Sequence, residues 1–213
     1  MIKFITFEGG EGSGKTTIID NLLKDLSALG FDVVKTREPG GSKIAEEIRH
    51  VILNKENTAM DYRAEALLYA ASRRQHLQEV IVPSLKANKL VLCDRYLDSS
   101  LAYQGYARGL GIDQVYQINQ YATEGLLPDL TFYIDVDPQI GLSRIQSAHR
   151  TVDRLDLETA NFHKLVRNGY LEVAKMFPQR IITIDGKRPI LEIYEEIKNI
   201  ILEKMNAVTK EAK

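Results

Sequence analysis

GGEGSGKT, residues 9–16, lies between an apolar run at residues 2–7 and a helical pattern at residues 18–29. The string has the form G-x-x-x-x-G-K-[ST], and each fixed position answers a physical need. Gly9 and Gly14 can adopt backbone angles closed to residues with a Cβ, so successive N–H groups turn inward around an anion. The helix that follows aims its positive end at the same point. Lys15 adds a mobile cation, the Thr16 hydroxyl is placed to coordinate Mg2+, and Thr17 is the first ordinary helix residue. A glycine-rich turn with Lys15 as a solvated charge is the plainer reading, but it does not account for the strand before and the helix after. The stretch therefore predicts an α/β chain that binds nucleotide phosphate.

The 213 residues suit one α/β domain with a sizeable core, with room for inserted lids. Lys plus Arg number 28 against 29 Asp plus Glu, a net charge of −1, so no global field draws nucleic acid or an anionic membrane. The chain starts on a strand with no basic and apolar leader, and no apolar run approaches a membrane span, which predicts a cytoplasmic protein. Cys93 is the one cysteine, which excludes an internal disulfide and multi-cysteine metal sites, and its apolar run marks it as a core thiol. His50, His76, His149 and His163 show no metal-ligand spacing.

Outward from the loop, strands and helices alternate. Strands are predicted at residues 31–36, 90–94, 131–136 and 180–184, joining the first to make five. Helices are predicted over residues 44–52, from an Asp61 cap toward Pro83, and at 99–104, 113–124, 162–177 and 189–205. Another helix opens at Asp137-Pro138, and the tail from Ala207 is expected to fray. Gly105, Gly109 and Gly111 mark a flexible helix connection, since no strand precedes them and no Lys-Ser/Thr follows. Apolar strands that alternate with helices argue a parallel sheet covered on both faces, with ligands at the carboxyl ends of the strands. Those ends carry the phosphate loop, Arg37-Glu38-Pro39-Gly40, Asp94-Arg95 and Asp185-Gly186.

Asp94 ends a run of four apolar residues, the form of a carboxylate held at a strand end to orient Mg2+ or its water. Arg95 and Arg37 leave strand ends at the same rim and suit a bidentate grip on phosphate, although each also fits a surface ion pair. Arg49 shares a helix with Glu46 and so fits an intrahelical pair as well as a ligand contact. Tyr69 and Arg73 stand four apart on one helix, as do Ser99 with Tyr103 and Ser100 with Gln104. An aromatic ring, an arginine and an amide turned to one cleft could stack on and hydrogen-bond a flat base, while Tyr69 equally fits core packing. Arg150 and Arg154 lie in a polar stretch between two helices, suited to a lid that closes over a transferring phosphoryl group or to a solvated loop.

Four strings carry a family resemblance. They are FEGGEGSGKTT at residues 7–17, TREPGG at 36–41, EALLYAASRRQHL at 65–77 and CDRYLDSSLAYQGYARG at 93–109, with LPDLTFYIDV and DRLD in agreement. Over essentially its whole length the chain resembles the bacterial thymidylate kinases of Gram-positive type. That resemblance implies a three-layer P-loop kinase fold in one domain over residues 1–213, with a five-stranded parallel sheet and a lid at about residues 144–158. It implies transfer of the γ-phosphoryl of ATP to dTMP with Mg2+, usually in a homodimer.

Carried over by position, Gly10, Glu11, Gly12, Ser13, Gly14, Lys15, Thr16 and Thr17 would hold ATP, and Arg144 is a plausible adenine contact. Arg95 would grip the dTMP phosphate with Arg37, Glu38 and Arg49 nearby, and Asp94 would help place magnesium. Glu11 would also face the sugar 3′-hydroxyl, and Tyr103 would crowd the 2′ position. Tyr69 would stack on thymine, with Arg73 at O4 and Ser99, Ser100 and Gln104 at the acceptor's polar contacts. Gly12-Ser13 stands where one branch of the family has an arginine, so the catalytic arginine is expected from the lid, at Arg150 or Arg154. Tyr69 stands where many relatives have Phe.

A regulatory GTPase would share the loop but read guanine with Asn-Lys-x-Asp. Residues 54–57, NKEN, lack the Asp and follow a helix. An ATP-binding module without chemistry would not need a second arginine cluster. Another nucleotide kinase differs only in the base it accepts.

Overall fold

A computed structural model describes residues 2–147, 154, 155 and 157–211. Five strands, β1 (Phe4–Glu8), β2 (Val33–Arg37), β3 (Leu90–Asp94), β4 (Leu130–Asp135) and β5 (Ile181–Asp185), pair in parallel in the order β2-β3-β1-β4-β5. The connections carry α1 (Lys15–Ala28), α2 (Lys43–Leu53), α3 (Tyr62–His76), α4 (Val82–Lys86), α5 (Leu97–Ser100), α6 (Ile112–Thr123), α7 (Pro138–Ser147) and α8 (Ala160–Met176). The last described helix is α9 (Ile190–Glu211).

The apolar runs of β1, β3 and β4 are continuous because both faces of the sheet are covered. Alternate residues feed two cores. Ile5, Phe7, Leu92 and Phe132 pack with Ile18 and Leu22 of α1 and Ile193 and Ile197 of α9. Phe4, Val91, Cys93 and Tyr133 pack with Tyr96, Leu101, Val166 and Tyr170 on the opposite face. Each fully buried side chain of this size contributes roughly 1.5–3 kcal/mol relative to exposure.

Local signals act where expected. Asp61 accepts from the backbone N–H groups of Arg63 and Ala64, at 2.9 and 3.1 Å, and so caps α3. That helix passes through a π-helical turn, Leu77–Ile81, into α4, and this widened turn comes directly before Pro83, which has no N–H to give to the turn preceding it. A second π-helical stretch, Leu101–Ala107, extends α5 and packs against α8. The expected fraying from Ala207 is corrected: helical backbone continues to Glu211, because each added residue extends a helix already nucleated by packing.

Register places the site. Phe7 and Arg37 both pair with Asp94, so the ends of β1, β2 and β3 lie at one level. Chain direction leaves β1 toward β3 on one side and β4 on the other, which opens a crevice at the carboxyl edge. Among the described residues no helix is long and apolar enough to cross a membrane, and no group of three or more His, Cys, Asp or Glu residues could hold a metal ion.

Candidate active site

The glycine-rich loop closes tightly between β1 and α1. Gly14 takes φ 93° and ψ 4°, a left-handed conformation, as the residue that starts α1. Gly12 has φ 68°, and a Cβ there would stand 2.1 Å from the carbonyl oxygen of Gly141 on α7. Any side chain at Gly12 would therefore push α7 away from the loop. Lys15 is 6% exposed and donates to the carbonyls of Gly9 and Gly10 at 3.0 and 3.1 Å and to Ser13 Oγ at 3.1 Å. Burial, and after it the Arg95 charge, lowers its pKa from 10.5 to about 8. One residue on, Thr16 Oγ1 donates to Asp94 Oδ2 at 2.9 Å, bringing together the two predicted metal residues.

The loop opens on a cleft of about 790 Å³, within the range of small-molecule sites. Across it, Arg95 has φ 70°, a conformation that costs a non-glycine residue about 1 kcal/mol or more and turns its side chain back over the loop. Its Nη1 donates to Gly9 O at 2.9 Å and Tyr170 Oη at 3.0 Å, and its Nη2 to Glu11 Oε1 at 2.5 Å. Burial alone would weaken the Arg95 charge, but Glu11 and then the surrounding tyrosines drive its pKa well above the ordinary value. Tyr103 Oη also donates to Glu11 Oε1, at 3.1 Å. The structure thus joins Glu11, Arg95 and Tyr103, residues from three separate segments.

Beneath them lies a buried carboxylate that sequence reading missed. Glu8 accepts from Tyr96 N at 2.8 Å, Ser99 Oγ at 2.5 Å and Tyr170 Oη at 3.0 Å. Burial, with Asp98 as the next cause, raises its pKa from 4.5 to about 7. An acidic residue closing an apolar strand was a usable signal for Glu8. Nothing in the spacing of α8 pointed to Tyr170.

At the far end, Tyr69 is 8% exposed and lines the cleft beside Arg73. Arg73 donates to Glu38 Oε2 at 2.7 Å, to Ser100 Oγ at 3.1 Å, to the Tyr96 carbonyl at 2.9 Å and to Asn119 Oδ1. Glu38 and Ser100 therefore hold Arg73, and Ser99 holds Glu8. Gln104 donates from Nε2 to Glu65 Oε1 at 3.0 Å while it lines the cleft. Arg37 and Arg49 converge on the Pro39 carbonyl at 2.9 and 2.8 Å. Glu46 accepts from Arg37 Nη2 and from Gly41 N, so the carboxylate considered for Arg49 also serves Arg37. Burial pushes the Glu46 pKa up, but the Gly41 N–H and Arg37 outweigh it and leave it below the ordinary value.

The model of the thymidylate kinase family matches residues 7–197. The chain belongs to the thymidylate kinase family. It is 58% identical to the thymidylate kinase of Geobacillus sp. (strain WCH70), over 90% of this chain and 92% of that one. Identity to the thymidylate kinase of Clostridium novyi (strain NT) is 55%, over 93% and 97%. A crystal structure of thymidylate kinase from Ehrlichia chaffeensis superposes with a TM-score of 0.77 at 34% identity, covering 93% of this chain and 98% of that one. The architecture is the three-layer P-loop kinase fold of that family.

In this thymidylate kinase family member, Arg144 lines the cleft from α7 and approaches the carbonyls of Gly12 at 3.4 Å and Gly186 at 3.4–3.5 Å. Lys187, Arg188 and Ile190 also line the cleft. Gly10 is not among the residues that line this cleft and borders a separate small hollow with Tyr133 and His163. Arg154 is 8% exposed, donates to the Ile52 carbonyl at 2.8 Å and pairs with Glu65. Its neighbour Leu155 lines the cleft. Arg150 lies outside the described residues.

Proposed function

We propose that this chain transfers the γ-phosphoryl group of ATP to dTMP, giving ADP and dTDP, a step in the supply of dTTP. One observation carries the reading: the cleft holds more cations than one phosphate chain needs. Lys15 at the helix start shares the Gly9 carbonyl with Arg95, and Arg37 with Arg49 form a further pair on the Pro39 carbonyl.

The loop N–H groups and Lys15 would hold the ATP phosphates, for which Lys15 exchanges its loop carbonyls for phosphate oxygens. Arg95 would grip the acceptor phosphate, with Arg37 and Arg49 behind it. A dTMP phosphate oxygen attacks the γ-phosphorus as the bond from phosphorus to the bridging β,γ-oxygen breaks and ADP leaves. That nucleophile is already anionic, so the residues here orient and neutralise, and none need take a proton. Glu11 and Tyr103 would meet the sugar, Tyr69 would stack on the base, and Arg73 with Gln104 would read its edge. Arg150 and Arg154 are the lid arginines we propose for the transferring group, a role for which Arg154 would have to leave Glu65 and the Ile52 carbonyl, and Arg144 is the proposed adenine contact.

Kinases of this family use ATP, generally with a divalent metal. We assign Mg2+ to Thr16 Oγ1 and Asp94, whose hard oxygen donors fit an ion that keeps several waters and binds through one or two protein oxygens plus phosphates. Bound there, it would neutralise phosphate charge. We also place the protein in the cytoplasm, as one domain in a homodimer. The exposed apolar side chains Ile44 and Val51 on α2, Leu67 on α3 and Tyr121 on α6 support a covered face there. A coupled ADP-release assay across dTMP, dCMP, AMP and thymidine tests the reaction. dTMP is expected to be turned over with by far the highest kcat/KM, and equal turnover of AMP would sink the assignment.

A further inference from the structure

Glu65 is fully buried on α3, one helical turn before Tyr69 and two before Arg73. Its carboxylate accepts from Gln104 Nε2 at 3.0 Å, from Arg108 at 3.2 and 3.3 Å, and from Arg154 Nη2. Burial alone would raise its pKa, but the hydrogen bond from Gln104 and then the two arginines outweigh burial and hold it below the ordinary value. An ionised carboxylate can only accept hydrogen bonds. The Gln104 amide must therefore turn its NH2 toward Glu65 and has its oxygen left for the cleft it lines.

Arg73 lines the same cleft, with hydrogens already given to Glu38, Ser100, Asn119 and Tyr96 and Nη2 still holding one. The cleft thus offers an acceptor from Gln104 and a donor from Arg73. A thymine edge carries the complement, an N3–H donor beside an O4 acceptor, and a cytosine edge carries the reverse. We propose that Glu65, which touches no substrate, is a positioning residue for base selection: it fixes the Gln104 amide so that the cleft accepts an imide N–H and rejects a ring nitrogen lone pair. The proposal rests on the reading of Arg73 and Gln104 as base contacts.

Glu65→Gln provides the test. Arg108 and Arg154 would claim the new amide oxygen, leaving its NH2 toward Gln104 and reversing that amide. The kcat/KM ratio of dTMP over dCMP is expected to fall about tenfold, the scale of one well-placed hydrogen bond, with the KM for ATP unchanged. In a Gln104→Leu background the same substitution should leave the ratio where Gln104→Leu alone puts it. A ratio unmoved by Glu65→Gln, alongside lowered thermal stability, would mean that Glu65 only holds the fold.

A second measurement needs no variant. In the unmodified protein the imino proton of bound dTMP, labelled with 15N at N3, should exchange slowly with water in NMR. Rapid exchange would overturn the acceptor placement. Failure of the function itself reads differently, since the unmodified protein would then show no preference for dTMP over dCMP.

Discussion

Lys15 should impose an alkaline limit on ATP capture. Buried and facing the Arg95 charge, its ammonium has a pKa of about 8 instead of 10.5. A bound phosphate restores the charge, so the free protein and the ATP complex differ in proton affinity at this one group. The sign follows: the free protein loses the proton first, and ATP affinity falls as pH rises through about 8. At pH 9 only about one tenth of Lys15 remains charged, so kcat/KM for ATP should fall about tenfold from its neutral value and decline tenfold per further pH unit. Between pH 8 and the ordinary lysine value of 10.5 the loss approaches roughly 300-fold. The tyrosines beside the site do not share this range, because burial pushes Tyr103 and Tyr170 well above 10. The assay is initial rate against ATP from pH 6.5 to 10 at saturating dTMP, repeated on Lys15→Arg. A guanidinium keeps its charge throughout, so the variant should be slower at neutral pH but lack the alkaline limb. A flat profile to pH 9.5 in the unmodified protein, or the same limb in Lys15→Arg, would refute the argument.

Three further outcomes are expected. Tyr103→Ala should lower the preference for dTMP over its ribonucleotide counterpart at least about tenfold, whereas Tyr103→Phe keeps the ring and most of the preference, as competition kinetics would reveal. Asp94→Asn should raise the half-saturating Mg2+ concentration about 10- to 100-fold, and an unchanged Mg2+ titration would remove Asp94 from the metal site. Glu8 has its pKa raised from 4.5 to about 7. A raised carboxylate stabilises the fold most below 4.5, and that contribution, on the order of 3 kcal/mol, is lost as pH rises through 7. Glu8→Gln reproduces the protonated form, with its oxygen toward Tyr96 N and its NH2 toward Ser99 and Tyr170. Urea unfolding between pH 5 and 8 should therefore show a shallower decline in the variant, and identical slopes would count against the role assigned to burial.

Much of this site was legible because its parts are local. The glycines, Lys15 and Thr16 act within one turn of chain, and Asp94 announces itself by ending an apolar strand. Tyr69 and Arg73 share a face by helical spacing alone. Gln104 was readable as a candidate contact, but the direction of its amide was not, since that depends on Glu65, 39 positions away. Arg154 reads from sequence as a mobile charge, yet Glu65 and the Ile52 carbonyl hold it, partners that no spacing rule would bring to it.

By itself the sequence determined that the chain alternates strand and helix around a doubly covered sheet, that a glycine-rich loop of phosphate-binding form follows the first strand, and which side chains leave the strand ends. Those properties depend on backbone sterics and on periods of two and 3.6 residues, which neighbouring residues settle among themselves. Only the tertiary structure decided that Glu8, Ser99 and Tyr170 close beneath Arg95, that Glu11 joins Arg95 to Tyr103, and that Gln104 turns its Nε2 to Glu65. These are pairings of buried charges and hydroxyls brought together by strand order and helix packing, where low dielectric makes each partner matter and nothing in the local pattern names it.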